Sequence, residues 1–139
     1  WNFESKRWEA TDNSELTITS VGEDATRITN TSGIHKHAHL VLPKELKGNF
    51  TLRIELKGGY ELGFLNRDGK DEMLYLELDD GDQFATYELS RFGTRYTITR
   101  NGRVRPLVHF RFDYGDEVMI TLAIKQDESA GIRSYQFIE

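Results

Sequence analysis

One stretch, residues 49–65, restricts the possible folds of this chain more than any other; it reads NFTLRIELKGGYELGFL. The apolar residues of its first half alternate with polar ones: Phe50, Leu52, Ile54 and Leu56. Because successive side chains of a strand point to opposite faces, this alternation predicts a strand with one apolar face. Gly58 and Gly59 allow the backbone to reverse, and the alternation then resumes, so we expect an antiparallel hairpin. An apolar hairpin face needs a second layer to cover it, and the stretch therefore predicts two packed sheets.

The same period recurs along the rest of the chain. Residues 34–42 form a strand that we expect Pro43 to end, and residues 73–79 place Leu74, Leu76 and Leu78 on one face. Asn101-Gly102 is a strong signal for a two-residue hairpin turn. No segment has a helical period, and about ten to twelve short strands are spaced as in sandwiches and barrels. We predict an all-β chain, an antiparallel two-sheet β-sandwich, forming a single domain over residues 1–139.

Composition excludes several classes of partner. The formal net charge is −5 and charges of both signs are interspersed, so we expect neither nucleic-acid binding nor a polybasic membrane patch. No apolar run reaches the roughly 18 residues of a membrane span. The chain has no cysteine, which excludes disulfides and cysteine-ligated metals. A polar, compact domain of this kind is compatible with an exported protein.

Residues 50–93 carry a resemblance to a known family. The segments FTLRIELKGGYELGF, NRDGKDEMLYLELDDGDQF and TYELSRFG, the last containing an Arg91–Gly93 corner, are similar to the concanavalin A-like lectin and glucanase sandwiches. Within that group they most resemble the accessory sandwich that follows the propeller in family 32 glycoside hydrolases. The resemblance implies a jelly roll attached to, or derived from, carbohydrate-active proteins. We also expect an extracellular or periplasmic location, with neighbouring domains on a longer chain as possible partners.

Histidines form the sharpest local pattern in the chain. His35, His37 and His39 stand at period two, so one face of a strand carries all three. Neighbouring members lie about 7 Å apart, and two could share a zinc ion if Asp, Glu or His109 lay opposite. The alternative is a solvated polar stripe, with Ile34 and Ala38 on the inward face. We expect no cofactor, with zinc at this stripe as the alternative.

An acidic segment gives a second candidate. Glu77 and Asp79 lie two apart, and with Asp82 they resemble the E-x-D-x-x-E strand of family 16 glucanases. A retaining hydrolase needs two carboxyl groups about 5 to 5.5 Å apart, which same-face neighbours approach. A solubilising turn is the other interpretation, and calcium binding by Asp79, Asp80 and Asp82 is a third.

Aromatic residues suggest a sugar surface. Sugars bind to exposed rings and to side chains that make directed hydrogen bonds. The candidate ligand-binding residues are Trp8, Tyr75, Tyr87, Arg91 and Tyr96. Each ring has core packing as its alternative role.

Two functions from different classes follow from these patterns. The first is a non-catalytic carbohydrate-binding or accessory module of an exported carbohydrate-active protein, with a polysaccharide or oligosaccharide as partner. The second is a small glycoside hydrolase or lyase that uses Glu77 and Asp79. The sequence shows no nucleophile elbow, phosphate loop or dinucleotide fingerprint, so we favour the binding module.

Overall fold

A computed structural model describes residues 2–3, 9–10, 16–21, 25–34, 36–45, 48–66, 72–76, 78, 83–111 and 117–138. Within these ranges all regular structure is β. The strands are β1 Asn2–Phe3, β2 Glu9–Ala10, β3 Leu16–Val21, β4 Ala25–Asn30, β5 Lys36–Glu45, β6 Phe50–Gly58, β7 Glu61–Asn66, β8 Glu72–Leu76, β9 Ala85–Phe92, β10 Arg95–Arg100, β11 Arg103–Arg105, β12 His109–Arg111, β13 Glu117–Ile124 and β14 Ser129–Ile138. In the described segments, no helix has the length and apolarity needed to cross a membrane.

The strands form two antiparallel sheets. The larger has eight strands in the order β11-β10-β9-β6-β14-β4-β3, with β1 also paired to β14. The smaller has six strands in the order β12-β8-β7-β13-β5-β2. The prediction of an all-β, two-sheet antiparallel sandwich is therefore confirmed, with more strands than the ten to twelve expected.

The core lies between the two sheets. Alternate residues of β6 are buried as predicted, with exposures of 3% for Phe50, 0% for Leu52 and 1% for Ile54. Across from them the smaller sheet contributes Leu62 and Leu122, both with no exposed surface. At roughly 1.5 to 3 kcal/mol for each fully buried large apolar side chain, these rows supply the main stabilisation of the sandwich.

The expected hairpin between β6 and β7 is wrong, because the two strands belong to different sheets. β6 pairs with β9 and β14, whereas β7 pairs with β13 and β8. Gly58 and Gly59 both have a φ of 75° and carry the chain across the sandwich. A Cβ on Gly58 would lie 2.4 Å from the carbonyl oxygen of Ser129, so only glycine fits this crossing.

The hairpin predicted at Asn101-Gly102 is confirmed. β10 and β11 pair in antiparallel fashion up to Arg100 and Arg103, which leaves a two-residue loop. Asn101 has a φ of 49° and Gly102 a φ of 83°, as a type I′ turn requires.

Two further expectations about strands are corrected. β5 continues through Pro43 to Glu45, because its pairing with β13 is irregular between Val41 and Glu45 and leaves no ladder bond for proline to break. Ile34 lies before β5 and is 63% exposed rather than inward.

The structure describes β8 in its backbone only, so the placement of Leu74, Leu76 and Leu78 on one face stays a prediction. In the register with β7, Met73 and Tyr75 are partners of the buried Phe64 and Leu62, whereas Leu74 and Leu76 are partners of Gly63 and Glu61. The alternation of this strand is ambiguous because both of its faces carry large apolar residues. Leu78, which follows the strand, is in the core, with 2% exposure.

Candidate functional site

Three of the predicted ligand-binding residues lie on the core side of the larger sheet, and two of them, Arg91 and Tyr96, are in contact. Tyr96 and Arg91 are cross-strand partners, and the guanidinium carbon of Arg91 lies 5.4 Å from the centre of the Tyr96 ring. Tyr87, Arg91 and Tyr96 are 3%, 7% and 9% exposed. Tyr96 also packs edge-on against Phe50, with ring centres 6.3 Å apart. Arg91 and Tyr96 thus form a buried cation–π pair. Tyr87 lies four residues before Arg91 on β9, and its ring centre is 6.0 Å from the guanidinium carbon of Arg100. All three side chains offer little surface to a ligand.

The remaining predicted site residues lie wholly or partly outside the described part of the chain. Positions 8, 35, 77 and 79 are not described, so the roles predicted for Trp8, His35, Glu77 and Asp79 stay predictions. Tyr75 and His39 are described in their backbone only. Tyr75 pairs with Leu62 and His39 with Thr121.

His37, by contrast, lies on the outer face of the smaller sheet and meets an acidic partner. Ala123 on β13 is the cross-strand partner of both His37 on β5 and Glu61 on β7. Because Ala123 carries only a methyl group, the two longer side chains meet above it, with Nε2 of His37 3.8 Å from Oε1 of Glu61. Ala123 has no exposed surface, whereas the side chains of His37 and Glu61 are 38% and 21% exposed. The distance is long for a hydrogen bond but allows electrostatic attraction when the imidazole is protonated.

Small residues continue along the same face next to this pair. Thr121 is the partner of Gly63 on one side and of His39 on the other. Further along this row, Glu9 pairs with His39 and Leu74 with both Gly63 and His109. Thr121 is 3% exposed although it belongs to the outer face. We call His37, Glu61, Gly63, Thr121 and Ala123 the His37 surface: a floor of small side chains flanked by polar ones.

Tyr60 and Lys125 border the His37 surface at the end where β7 begins. The Lys125 ammonium lies 5.8 Å from the centre of the Tyr60 ring, and the Tyr60 amide donates a 3.0 Å hydrogen bond to the carbonyl of Ala123. Burial, and secondly the charge of Glu61, raises the pKa of the Tyr60 phenol above its ordinary 10.0. The phenol is therefore a neutral hydrogen-bond donor at physiological pH.

Asn30 fixes the loop that leads into β5 and thereby the position of His37. Its side-chain amide is fully buried and donates hydrogen bonds of 2.8 Å to the carbonyl of Ile34 and 2.9 Å to that of Ile124. Its oxygen accepts bonds from the Ser32 amide at 2.9 Å and the Ser32 hydroxyl at 2.7 Å. The start of β5 and the end of β13 are thus held together on either side of the His37 surface.

The metal alternative required an acidic residue opposite the histidines, and the structure places Glu61 beside His37. The separation of the two side chains is close to the roughly 3.4 Å expected of two ligands on a tetrahedral zinc. A closed structural zinc site needs four ligands. Among the residues described here, no three His, Cys, Asp or Glu side chains are grouped for a metal. Zinc binding by the stripe stays a prediction.

Sequence reasoning found His37 but not its surroundings. Glu61, Thr121 and Ala123 come from strands far apart in the chain, and Glu61 was assigned to a hairpin with the wrong neighbour. The alternation in residues 117–124 does give a signal, since Thr121 and Ala123 are the small members of an otherwise large apolar run. Only the strand order could bring them beside His37.

Comparison with known proteins shows the fold class. No protein-family model and no curated protein sequence matches this chain. Its structure is similar to that of a carbohydrate-binding module, CBM66 from Bacillus subtilis, with a TM-score of 0.59, 12% identity and 96% of each chain covered. It is also similar to the Emp47p carbohydrate recognition domain, with a TM-score of 0.61, 14% identity and 96% and 89% of the two chains covered. A beta-glucanase from Bacillus licheniformis gives a TM-score of 0.57 at 11% identity over 99% and 94%. The chain therefore has the jelly-roll fold of the concanavalin A-like lectins and glucanases.

Proposed function

We propose that this chain is a non-catalytic carbohydrate-binding module and that its binding site is the His37 surface. The observation that carries the proposal is the meeting of His37 and Glu61 above Ala123, at 3.8 Å. It creates a polar rim over a floor of small side chains on a sheet face. The fold supports it, because similar structures include a carbohydrate-binding module and a carbohydrate recognition domain.

The chemistry of the rim suits sugar hydroxyls. An ionised carboxylate accepts two or more hydrogen bonds, so Glu61 can hold a pair of neighbouring hydroxyl groups, and the imidazole of His37 donates or accepts. The Tyr60 ring at the border offers a face for the C–H groups of a pyranose.

Glu61 also indicates the charge of the preferred ligand. It lies on the polar rim of the His37 surface, in a chain whose formal net charge is −5. A uronic acid placed there would bring a second carboxylate beside it, and like charges at short range cost binding energy. The His37 surface therefore suits neutral polysaccharides.

The wider setting belongs to the same proposal. We place the module next to a catalytic domain on a longer, exported chain, as the similarity of residues 50–93 to the accessory sandwich of family 32 glycoside hydrolases implies. An extracellular or periplasmic location fits this setting, since polymeric substrates are met outside the cell.

Affinity electrophoresis against a panel of neutral polysaccharides, followed by calorimetry on those that retard the protein, tests the proposal. Glu61→Gln should weaken binding about tenfold or more, the value of a charge-assisted hydrogen bond. Glu88→Gln is the matched control, because Glu88 is also half-buried and pairs with Arg53 at 3.2 Å on the opposite side of the sandwich. Equal effects of the two substitutions, or no binding to any neutral glycan, would remove the proposal.

Measuring sugar release in the same polysaccharide samples distinguishes the binding module from the hydrolase alternative. The beta-glucanase that shares the fold is an enzyme, and Glu77 and Asp79 are the acids the alternative requires. Release of reducing sugar from a bound glucan, abolished by Glu77→Gln, would favour it. Binding without release of sugar favours the module.

A further inference from the structure

A second polar cluster lies on the outer face of the larger sheet, on the other side of the sandwich from the His37 surface. Its centre is Phe84, whose ring rests on Gly131: a Cβ at Gly131 would lie 3.4 Å from Cζ of Phe84. Gly131 lies between Arg27 on β4 and Lys57 on β6 in one row across three strands. The glycine leaves room for the Phe84 ring between two cationic residues whose Cα atoms are about 10 Å apart.

A β-bulge brings a third cation to the same place. The register of β14 with β6 shifts between Ile132 and Ser134, so Arg133 is the extra residue of the bulge. Its guanidinium carbon lies 3.9 Å from the centre of the Phe84 ring, and Nη1 lies 3.4 Å from Oε2 of Glu55. Bulges of this kind re-aim a side chain and are typical of functional positions. Stacking and ion pairing therefore orient Arg133 while its side chain stays 48% exposed.

The Lys57 ammonium also approaches Phe84, at 5.5 Å from the ring centre. Lys57 and Arg133 thus converge on one ring, with Arg27 exposed across Gly131. Like charges that gather on a surface repel one another, so this arrangement costs stability in the free protein. The cost is recovered when an anion binds. We call Arg27, Lys57, Phe84, Gly131 and Arg133 the Phe84 patch.

We propose that the Phe84 patch is a second carbohydrate site, which binds the carboxylate or sulfate groups of an acidic polysaccharide. The inference rests on the proposed function in that it takes the ligand to be a glycan. Guanidinium groups hold such planar or tetrahedral anions through paired donors, and Glu55 leaves Arg133 donors to spare. The spacing of Arg27 and Lys57 allows charges on separate sugar units of one polymer to bind together.

The surroundings favour a polysaccharide over an acidic peptide. Half-buried hydroxyl side chains, Thr29 and Thr86, lie on the same sheet face, and they match sugar hydroxyls. A bound peptide needs pockets for its apolar side chains. Among the described residues, the large exposed apolar side chains lie elsewhere: Ile34, Phe92, Val104 and Val108.

Calorimetry with polygalacturonate and heparin as probes tests the patch. Arg133→Gln and Lys57→Gln should each weaken binding about tenfold, and rising ionic strength should weaken it further. Arg53→Gln is the control, because Arg53 is a cation on the same face that pairs with Glu88 outside the patch; its effect should stay below about twofold. Melting temperatures of all three variants check that the fold is kept.

Four outcomes overturn the patch: no binding of either acidic polymer, no loss in Arg133→Gln and Lys57→Gln, an equal loss in Arg53→Gln, or binding of polyglutamate in preference to the polysaccharides. The equal loss would mean general charge attraction, and the polyglutamate result would mean a peptide site. Neutral polysaccharides in parallel separate the two proposals. If neutral binding that depends on Glu61 persists while the acidic polymers fail, only the Phe84 patch is refuted. If the acidic polymers bind through Arg133 while no neutral glycan binds, the His37 surface is refuted instead.

Discussion

Replacing Gly58 by alanine should destabilise the protein more than the same change at any glycine in an open turn. Gly58 has a φ of 75°, and an L-residue in the left-handed region costs roughly 1–2 kcal/mol. The new Cβ would lie 2.4 Å from the Ser129 carbonyl oxygen, and forcing backbone apart in a packed site adds roughly 1–3 kcal/mol. Alanine lowers the entropy of the unfolded chain, which returns roughly 0.4–1 kcal/mol. The expected loss is therefore about 2–4 kcal/mol, a large part of the roughly 5–15 kcal/mol that holds a domain together.

Two other glycines separate the steric and the conformational contributions. Gly102 has a φ of 83° with nothing within 4 Å of a new Cβ, so Gly102→Ala should lose only about 1 kcal/mol. Gly33 is outside the left-handed region and equally open, so Gly33→Ala should be neutral or slightly stabilising. Urea unfolding followed by tryptophan fluorescence gives the three values. Gly58→Ala no worse than Gly102→Ala would refute the crossing between sheets as described.

Three further changes test the core, the loop before β5 and the border of the site. Ile54→Asp should prevent folding, because Ile54 is 1% exposed and an unpaired carboxylate there costs several kcal/mol. Arg53→Asp, at a half-exposed position, should lower the free energy of unfolding by only about 1–2 kcal/mol. Similar melting temperatures of the two variants would mean that the register of β6 is wrong. Asn30→Ala should lose about 2–4 kcal/mol in urea unfolding, since four hydrogen bonds of a buried side chain go with it; a loss below about 0.5 kcal/mol would contradict the network. Because the pKa of the Tyr60 phenol is raised, the unfolded chain ionises first as the pH rises past 10.0, and stability falls there. In Tyr60→Phe the free energy of unfolding should fall less between about pH 9 and pH 11 than in the original protein. The same fall in both proteins would contradict burial of the phenol.

The sequence determines local strand structure well where one face is uniformly apolar. Phe50, Leu52, Ile54 and Leu56 alternate without exception and are all buried, with exposures of 3%, 0%, 1% and 1%. In β8 both faces carry large apolar residues, so alternation could not decide which face is inward. The structure adds the register, in which Met73 is opposite Phe64 and Tyr75 is opposite Leu62.

Strand partners depend on the whole chain and could not be read from a local pattern. Gly58-Gly59 permits a tight hairpin, and it equally permits a crossing between sheets. The crossing wins because β6 finds longer partners in β9 and β14, with registers that run from Leu56 to Phe50 and from Gly58 to Thr51. The register of a strand such as β6 is therefore set only when both neighbouring strands are in place.

In the candidate site, too, local patterns predict which way a residue faces, whereas the strand order decides its neighbours. Period two was enough to place His37 on an outward face, and Ala38 next to it is in the core with no exposed surface. Glu61 and Ala123 join His37 only through the order of β5, β13 and β7. Tyr87 became a candidate because it is aromatic, but it is 3% exposed: a tyrosine ring is equally suited to a core and to a sugar surface.

The site claim is tested most directly by mapping where a neutral oligosaccharide binds. In a titration followed by ¹H–¹⁵N correlation spectra, we expect the largest chemical-shift changes at the amides of Gly63, Thr121 and Ala123. The three changes should follow one binding curve and saturate at the same ligand concentration. Thr97 and Thr99, on the outer face of the larger sheet, should not move. Glu61→Gln should raise the dissociation constant obtained from these shifts about tenfold. Away from position 61, the spectrum of the free protein should not change. Shifts confined to the larger sheet, or to the buried residues Tyr87, Arg91 and Tyr96, would contradict the His37 surface as the binding site.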